Sequence, residues 1–222
     1  SYLIEGWHLF EEALENQAII RQVFVLEAYL DRVENIQNVT VVTSEILSLL
    51  ADSKTPQGIV AEIALEKPEL PDQLHGRYLY LEDVQDPGNV GTMIRTADAA
   101  GFDGVMISKA SADLFSLKTL RSMQGSHFHL PIWKMDREEL FERASQSHLA
   151  VLATTLSEAS MDYRQLPQID QLILVMGNEG KGISPEMATR ADQLVHITMP
   201  GRAESLNVAV AAGILMFYLR NF

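Results

Sequence analysis

From residue 77 onward the chain repeats one pattern: a short apolar run, a stretch with helical spacing, then another apolar run. Residues 77–81, 105–108, 130–134, 150–154, 172–176 and 194–198 read as strands. Between them, residues 92–100, 114–123, 137–147 and 185–191 read as helices, the first ended by Gly101. Strands that are apolar throughout can show no face to water. Separated by helices, they predict an α/β fold with a parallel sheet covered on both sides. Ligands of such sheets bind beyond the carboxyl ends of the strands.

The pattern closes on a helix expected from about Leu206. Val208, Ala209, Val210, Ala211, Ala212, Ile214, Leu215, Met216, Phe217 and Leu219 leave it no charged face before Arg220. A helix of this kind must be covered all round, by its own domain and by a second subunit. At roughly 14 residues it is shorter than the ~20 that span a bilayer, so no membrane partner is expected. Ser205 and Asn207 stand where loop becomes helix, a place with free backbone N–H groups.

Ahead of this region lies a smaller α/β unit. Residues 2–16 read as a helix with Leu3, Ile4, Trp7, Phe10 and Leu14 as its apolar stripe. Residues 20–26 read as a strand, 27–34 as a helix and 39–42 as a strand. A helix capped by Thr43 or Ser44 runs to about residue 50, and the turn Lys54-Thr55-Pro56-Gln57-Gly58 leads into a strand over 59–65. The expected organisation is a first domain over residues 1–66, a proline-broken linker over 67–76, and a second domain over 77–222.

The chain contains no cysteine, which excludes disulfides and thiolate chemistry and favours a reducing, cytoplasmic setting. Glu5, Glu11, Glu12 and Glu15 make the opening unlike a signal peptide, and Ser1 suggests that a few residues precede it. The net charge of −13 counts against holding nucleic acid by bulk electrostatics, so an RNA partner would need a local basic patch. His127 and His129 are the one close histidine pair, expected on one strand face. No carboxylate or cysteine cluster joins them in the sequence, so no metal site is expected.

Three unusual loops follow strands and precede helices. The first is Glu82-Asp83-Val84-Gln85-Asp86-Pro87-Gly88-Asn89-Val90-Gly91, opening the helix that carries Arg95. The second is Gly177-Asn178-Glu179-Gly180-Lys181-Gly182-Ile183-Ser184, and the third runs from Met199 to Ser205. Taken singly, each reads as a tight turn. The second is not a P-loop, because Gly182 follows Lys181 where Ser or Thr is required, and no G-x-G-x-x-G follows a strand.

In order, Asp86-Pro87-Gly88-Asn89-Val90-Gly91 with Arg95, Gly177-Asn178-Glu179-Gly180-Lys181-Gly182, and Ser205-Leu206-Asn207-Val208 strongly resemble the SpoU family of RNA ribose 2′-O-methyltransferases, within the SPOUT superfamily. The resemblance covers essentially the whole chain, since the front unit with its Pro56-Gln57-Gly58 turn resembles the family's substrate-binding domain. It implies a deep trefoil knot at the C-terminal end, a homodimer, and methyl transfer from S-adenosylmethionine to a ribose 2′-hydroxyl of tRNA or rRNA. Carried over by position, cofactor contacts fall on Gly177, Ile197 and Leu206, with Thr154 and Asn178 as additions. Arg95 matches the essential arginine, and is expected to grip a phosphate and stabilise a developing alkoxide rather than act as a base. Asn89 and Glu179 are expected to orient Arg95, or to serve the ribose and shape the loop. Ser205 and Asn207 are expected to contact RNA or cofactor, or simply to cap the helix. Lys181 and Arg202 are candidate phosphate contacts, and residues 121–128 resemble a family stretch given an RNA-facing role. Thr198 stands where many members have proline, and Ala209 where many have serine. The alternatives are a base-modifying knotted relative and a non-catalytic RNA-binding or ribosome-assembly factor.

Overall fold

The computed structural model describes residues 1–53 and 55–220; Lys54 of the expected turn lies outside the described residues. The chain opens with a strand, β1 (Tyr2–Glu5), where a helix was expected from residue 2. Gly6 then takes a φ of 94°, a region that other residues enter at a cost, and turns the chain into α1 (Trp7–Glu15). Next come β2 (Ile20–Leu26), a 3₁₀ helix over Glu27–Val33 where a helix was expected, β3 (Val39–Val42), α2 (Ser44–Leu50) capped by Thr43, and β4 (Ile59–Ile63). These strands form a sheet ordered β1-β4-β2-β3, with β1 and β2 antiparallel to β4. The pairing of β1 with the last strand of the sheet is what overrode its local pattern.

The second sheet is built by β5 (Arg77–Leu81), α3 (Pro87–Ala99), β6 (Gly104–Ile107), α4 (Leu117–Met123), a 3₁₀ turn (Ser126–Phe128) and β7 (Ile132–Lys134). It continues with α5 (Arg137–Ser147), β8 (Ala150–Thr154), β9 (Met161–Asp162), β10 (Leu172–Met176), α6 (Pro185–Arg190), β11 (Gln193–His196) and α7 (Val208–Arg220). Its order is β7-β6-β5-β10-β8-β11-β9, and every neighbouring pair is parallel. The period of two is visible in the core. Tyr78 and Tyr80 of β5, with Ile173 and Val175 of β10, pack on one face under Leu140 of α5 and Met187 of α6. Leu79, Leu81, Leu172 and Leu174 face the other way, onto α3, α4 and α7, in a cluster that also takes in Ile4, Leu9 and Phe10 of the first unit. Both faces are covered, as apolar parallel strands require.

Three features bear on the site. Helix α3 starts at Pro87, several residues before the expected start, with the Asp86 side chain accepting from the Asn89 N–H at 2.9 Å. Gly91 inside it is a packing residue: a Cβ there would stand 2.5 Å from the Thr119 carbonyl oxygen of α4. The segment joining the sheets is no loose tether, since Leu74 is fully buried and its N–H donates to Ser147 Oγ at 2.9 Å. Finally, α7 is only half covered by its own chain. Ala212, Leu215, Met216 and Leu219 are buried, while Val210, Ile214 and Phe217, at i, i+4 and i+7, are 53%, 37% and 49% exposed. No helix among the described residues is long and apolar enough to cross a membrane.

Candidate active site

Strands β5, β10, β8 and β11 are consecutive in the sheet and parallel, so the loops leaving their carboxyl ends meet on one edge. All three motif loops arise there. They enclose a cleft lined by Thr154, Gly177, Asn178, Ile197 and Leu206, together with Glu179 and Ser205. Leu156, Met176, Val195, Met199 and Leu215 add large apolar side chains to its wall. All five residues carried over as cofactor contacts therefore line one cavity.

The floor of this cleft is a closed turn. Asn178 and Gly182 exchange backbone hydrogen bonds of 3.0 and 2.9 Å, and the Asn178 side-chain oxygen accepts from the N–H groups of Gly180 and Lys181, each at 3.0 Å. Gly177 is required by this closure: a Cβ would meet the Gly182 carbonyl carbon at 2.3 Å. The Asn178 amide also donates to the Asp83 carbonyl at 2.8 Å, fastening the second loop to the first. Thr154 Oγ1 is turned into the sheet, donating to the Val175 carbonyl at 2.9 Å.

A chain of side-chain hydrogen bonds runs across all three loops. Glu179 accepts from the N–H groups of Gln85 (3.1 Å) and Asp86 (3.0 Å) and from Asn89 Nδ2 (3.1 Å). Asn89 Oδ1 in turn accepts from Asn207 Nδ2 at 3.1 Å. The Asn207 oxygen caps α7, accepting from Ala209 N–H at 2.8 Å and Val210 N–H at 3.3 Å. Partial burial raises the Glu179 pKa, but the bonds from Asn89 and the two backbone N–H groups outweigh it and the net shift is downward. Ser205 lines the cleft and takes no part in the cap.

Arg95 stands apart from this chain. It is exposed on α3, does not line the cleft, and has no hydrogen bond or ion pair among the described residues. The expectation that Asn89 and Glu179 orient it is not met by any contact here, because both spend their polar atoms on each other, on Asn207 and on the first loop. Lys181 and Arg202 are likewise exposed, and their side chains have no ion pair among the described residues. Sequence reasoning passed over Glu82. Its carboxylate is 2% exposed and accepts from Ser184 N–H (2.9 Å), Ser184 Oγ (2.8 Å) and Arg137 Nε (2.8 Å), locking the start of the first loop to the end of the second. An acid directly after an apolar strand is the only trace it leaves in the sequence. Residues 121–128 pack against the N-terminal unit, with Arg121 donating to Asp52 and His127 beside the Tyr2 hydroxyl.

An apolar cleft with a glycine-closed floor, at the carboxyl edge of a parallel sheet, is where a protein of this architecture binds a small ligand. A family model described as the SpoU rRNA Methylase family matches residues 76–217, and one described as an MRM3-like substrate binding domain matches residues 1–61. The chain belongs to the SpoU rRNA methylase family. It is an RNA 2′-O-methyltransferase that uses S-adenosylmethionine, with a seven-stranded parallel-sheet domain and a small N-terminal α/β unit. It is 38% identical to the 23S rRNA (guanosine(2553)-2′-O)-methyltransferase RlmP of Bacillus subtilis, over 99% of this chain and 88% of that protein. An AdoMet-bound rRNA methyltransferase from Sinorhizobium meliloti superposes with a TM-score of 0.89 at 33% identity, covering 99% of this chain and 87% of the other. The SpoU methyltransferase AviRb from Streptomyces viridochromogenes, in complex with AdoMet, gives 0.86 at 25% identity, covering 99% and 89%.

Proposed function

We propose that this protein methylates the 2′-hydroxyl of a guanosine in large-subunit ribosomal RNA, acting as a homodimer in the cytoplasm. The observation that carries this reading is the Glu179–Asn89–Asn207 chain, which makes one rigid rim from the three motif loops beside the cleft. The choice of RNA is supported by the likeness to the Bacillus subtilis protein over almost the whole chain.

On this reading Gly177, Asn178, Ile197 and Leu206 hold S-adenosylmethionine, with Thr154 stiffening the wall behind it. The cleft suits such a ligand, since its lining joins apolar side chains to the backbone of a glycine turn. When bound, S-adenosylmethionine supplies an activated methyl group. The protein's task is then to hold a ribose oxygen in line and to stabilise the charge that grows on it. Arg95 does the second: a guanidinium stays protonated, and with no partner of its own it is available to a phosphate and the neighbouring 2′-oxygen. Glu179 is the fixed support of the rim, and Ser205 and Asn207 meet the ribose or the cofactor from the third loop. Lys181 and Arg202 add the local positive charge that an acidic protein needs on its RNA face.

Residues 1–66 form the RNA-selecting domain, 67–76 the connection and 77–222 the catalytic domain. The exposed Val210, Ile214 and Phe217 stripe of α7 is the contact between subunits, which supplies the cover its sequence requires. The test is to map ribose methylation in ribosomal RNA from cells with and without the protein. One position that returns with the wild type and not with Arg95→Ala supports the reading; an unchanged methylation profile overturns it.

A further inference from the structure

Residues 121–129 tie the two sheets together. Arg121 Nη2 donates to Asp52 at 2.8 Å and its Nη1 lies 3.7 Å from Glu5. The Gln124 carbonyl lies 3.3 Å from His8 Nε2, and His127 Nε2 lies 3.0 Å from the Tyr2 hydroxyl. The tie ends on His129, which is wedged between two acids. Its Nδ1 is 2.8 Å from Asp98 on α3, and its Nε2 is 2.9 Å from Glu12 on α1. Ionised carboxylates only accept hydrogen bonds, so both contacts are satisfied together only when both ring nitrogens carry protons. A neutral imidazole has one N–H and leaves the other acid facing a lone pair. Gly125, at φ 93°, makes room for this arrangement, because a Cβ there would stand 2.8 Å from Glu12 Cγ. Asp98 is three residues beyond Arg95 on the same helix.

We propose that His129, held as an imidazolium, is a positioning residue that fixes the N-terminal unit and the RNA it carries against the helix bearing Arg95. The proposal rests on the function proposed above for its RNA, and on the geometry alone for the tie. The bond to Asp98 raises the His129 pKa first; partial burial opposes it, and the bond to Glu12 adds to the rise. Other titratable groups near the ring are His127 and, along the same cleft, Glu66 and Lys67. His127 stays neutral at pH 7, because burial first and the charge on His129 second push its pKa down to about 4. With the folded value of His129 above the ordinary ~6.5, the tie is complete below that pH and is lost as pH rises through the folded value.

Asp98→Asn separates this from a merely structural contact. The side-chain amide introduced by that substitution can donate to an unprotonated Nδ1 while Nε2–H still donates to Glu12, so a neutral ring keeps both contacts. Two measurements on the full chain suffice: ring-nitrogen NMR of His129, and filter binding of RNA extracted from cells lacking the protein, between pH 6.5 and 9. The wild-type ring should carry two protons at pH 6.5 and lose one as pH rises, and wild-type RNA affinity should fall about fivefold toward pH 9. The fall should vanish in Asp98→Asn. A singly protonated wild-type ring at pH 6.5, or an equally steep fall in Asp98→Asn, overturns the proposal. RNA binding with the expected profile but without methyl transfer would remove the function reading and leave the tie. Methyl transfer with a neutral His129 would do the reverse.

Discussion

Glu179 has three donors on its two oxygens, which fits it to be an anchor and unfits it to be a base. In Glu179→Gln the new amide must point N–H groups at one of the backbone donors, so one N–H of the first loop loses its acceptor and the rim loosens. Isothermal titration should show weaker binding of S-adenosylmethionine; unchanged affinity would contradict the anchoring role. Glu82→Ala should be worse for the fold, since it removes a buried carboxylate from Arg137 and Ser184. A loss of about 3 kcal/mol is expected in urea unfolding, with under about 1 kcal/mol as the contrary result. The identities of Asn89, Glu179 and Asn207 were legible as a set, because their loops recur in a fixed order. Their bonding was not, because each bond joins residues about a hundred positions apart along the chain, and Glu82 was missed for the same reason.

At the scale of the element, the glycines divide into those that turn the chain and those that admit a neighbour. Gly91 admits α4, so Gly91→Ala should push α3 and α4 apart and cost about 1–3 kcal/mol. Gly201→Ala, where a Cβ would meet nothing within 4 Å, is the matched control. Thermal melts should show a drop of several degrees in the first and none in the second; equal melts would contradict the packing role. The same residue explains why the start of α3 was not legible. Gly88 and Gly91 read as loop residues, and only contact with α4 shows why a glycine sits inside a helix. Likewise β1 reads locally as part of a helix, and becomes a strand because β4 offers it a ladder. The parallel strands of the second sheet were legible in kind and nearly in bounds, since burial on both faces writes itself into a continuous apolar run. The two-residue edge strand β9 is too short to carry such a signal.

For the whole molecule, the sequence demanded cover on every side of α7, and one chain supplies only half of it. Phe217→Asp should therefore convert a dimer into a monomer in light scattering behind a sizing column, whereas a monomeric wild type would remove the subunit contact proposed for α7. How the two sheets sit together was not legible at all: Glu12, His129 and Asp98 meet between them, and nothing in their spacing associates them. In the function proposed, the cleft holds the methyl donor while Arg95, outside it, serves the reacting ribose. The direct measurement is transfer of labelled methyl from S-adenosylmethionine to RNA from cells lacking the protein, made on wild type and Arg95→Ala beside titration of the cofactor. Label should appear on ribose in the wild type, with a rate lower by about a hundredfold or more in the variant and the same cofactor affinity in both. Equal rates in the two proteins, or cofactor binding lost together with Arg95, would contradict it.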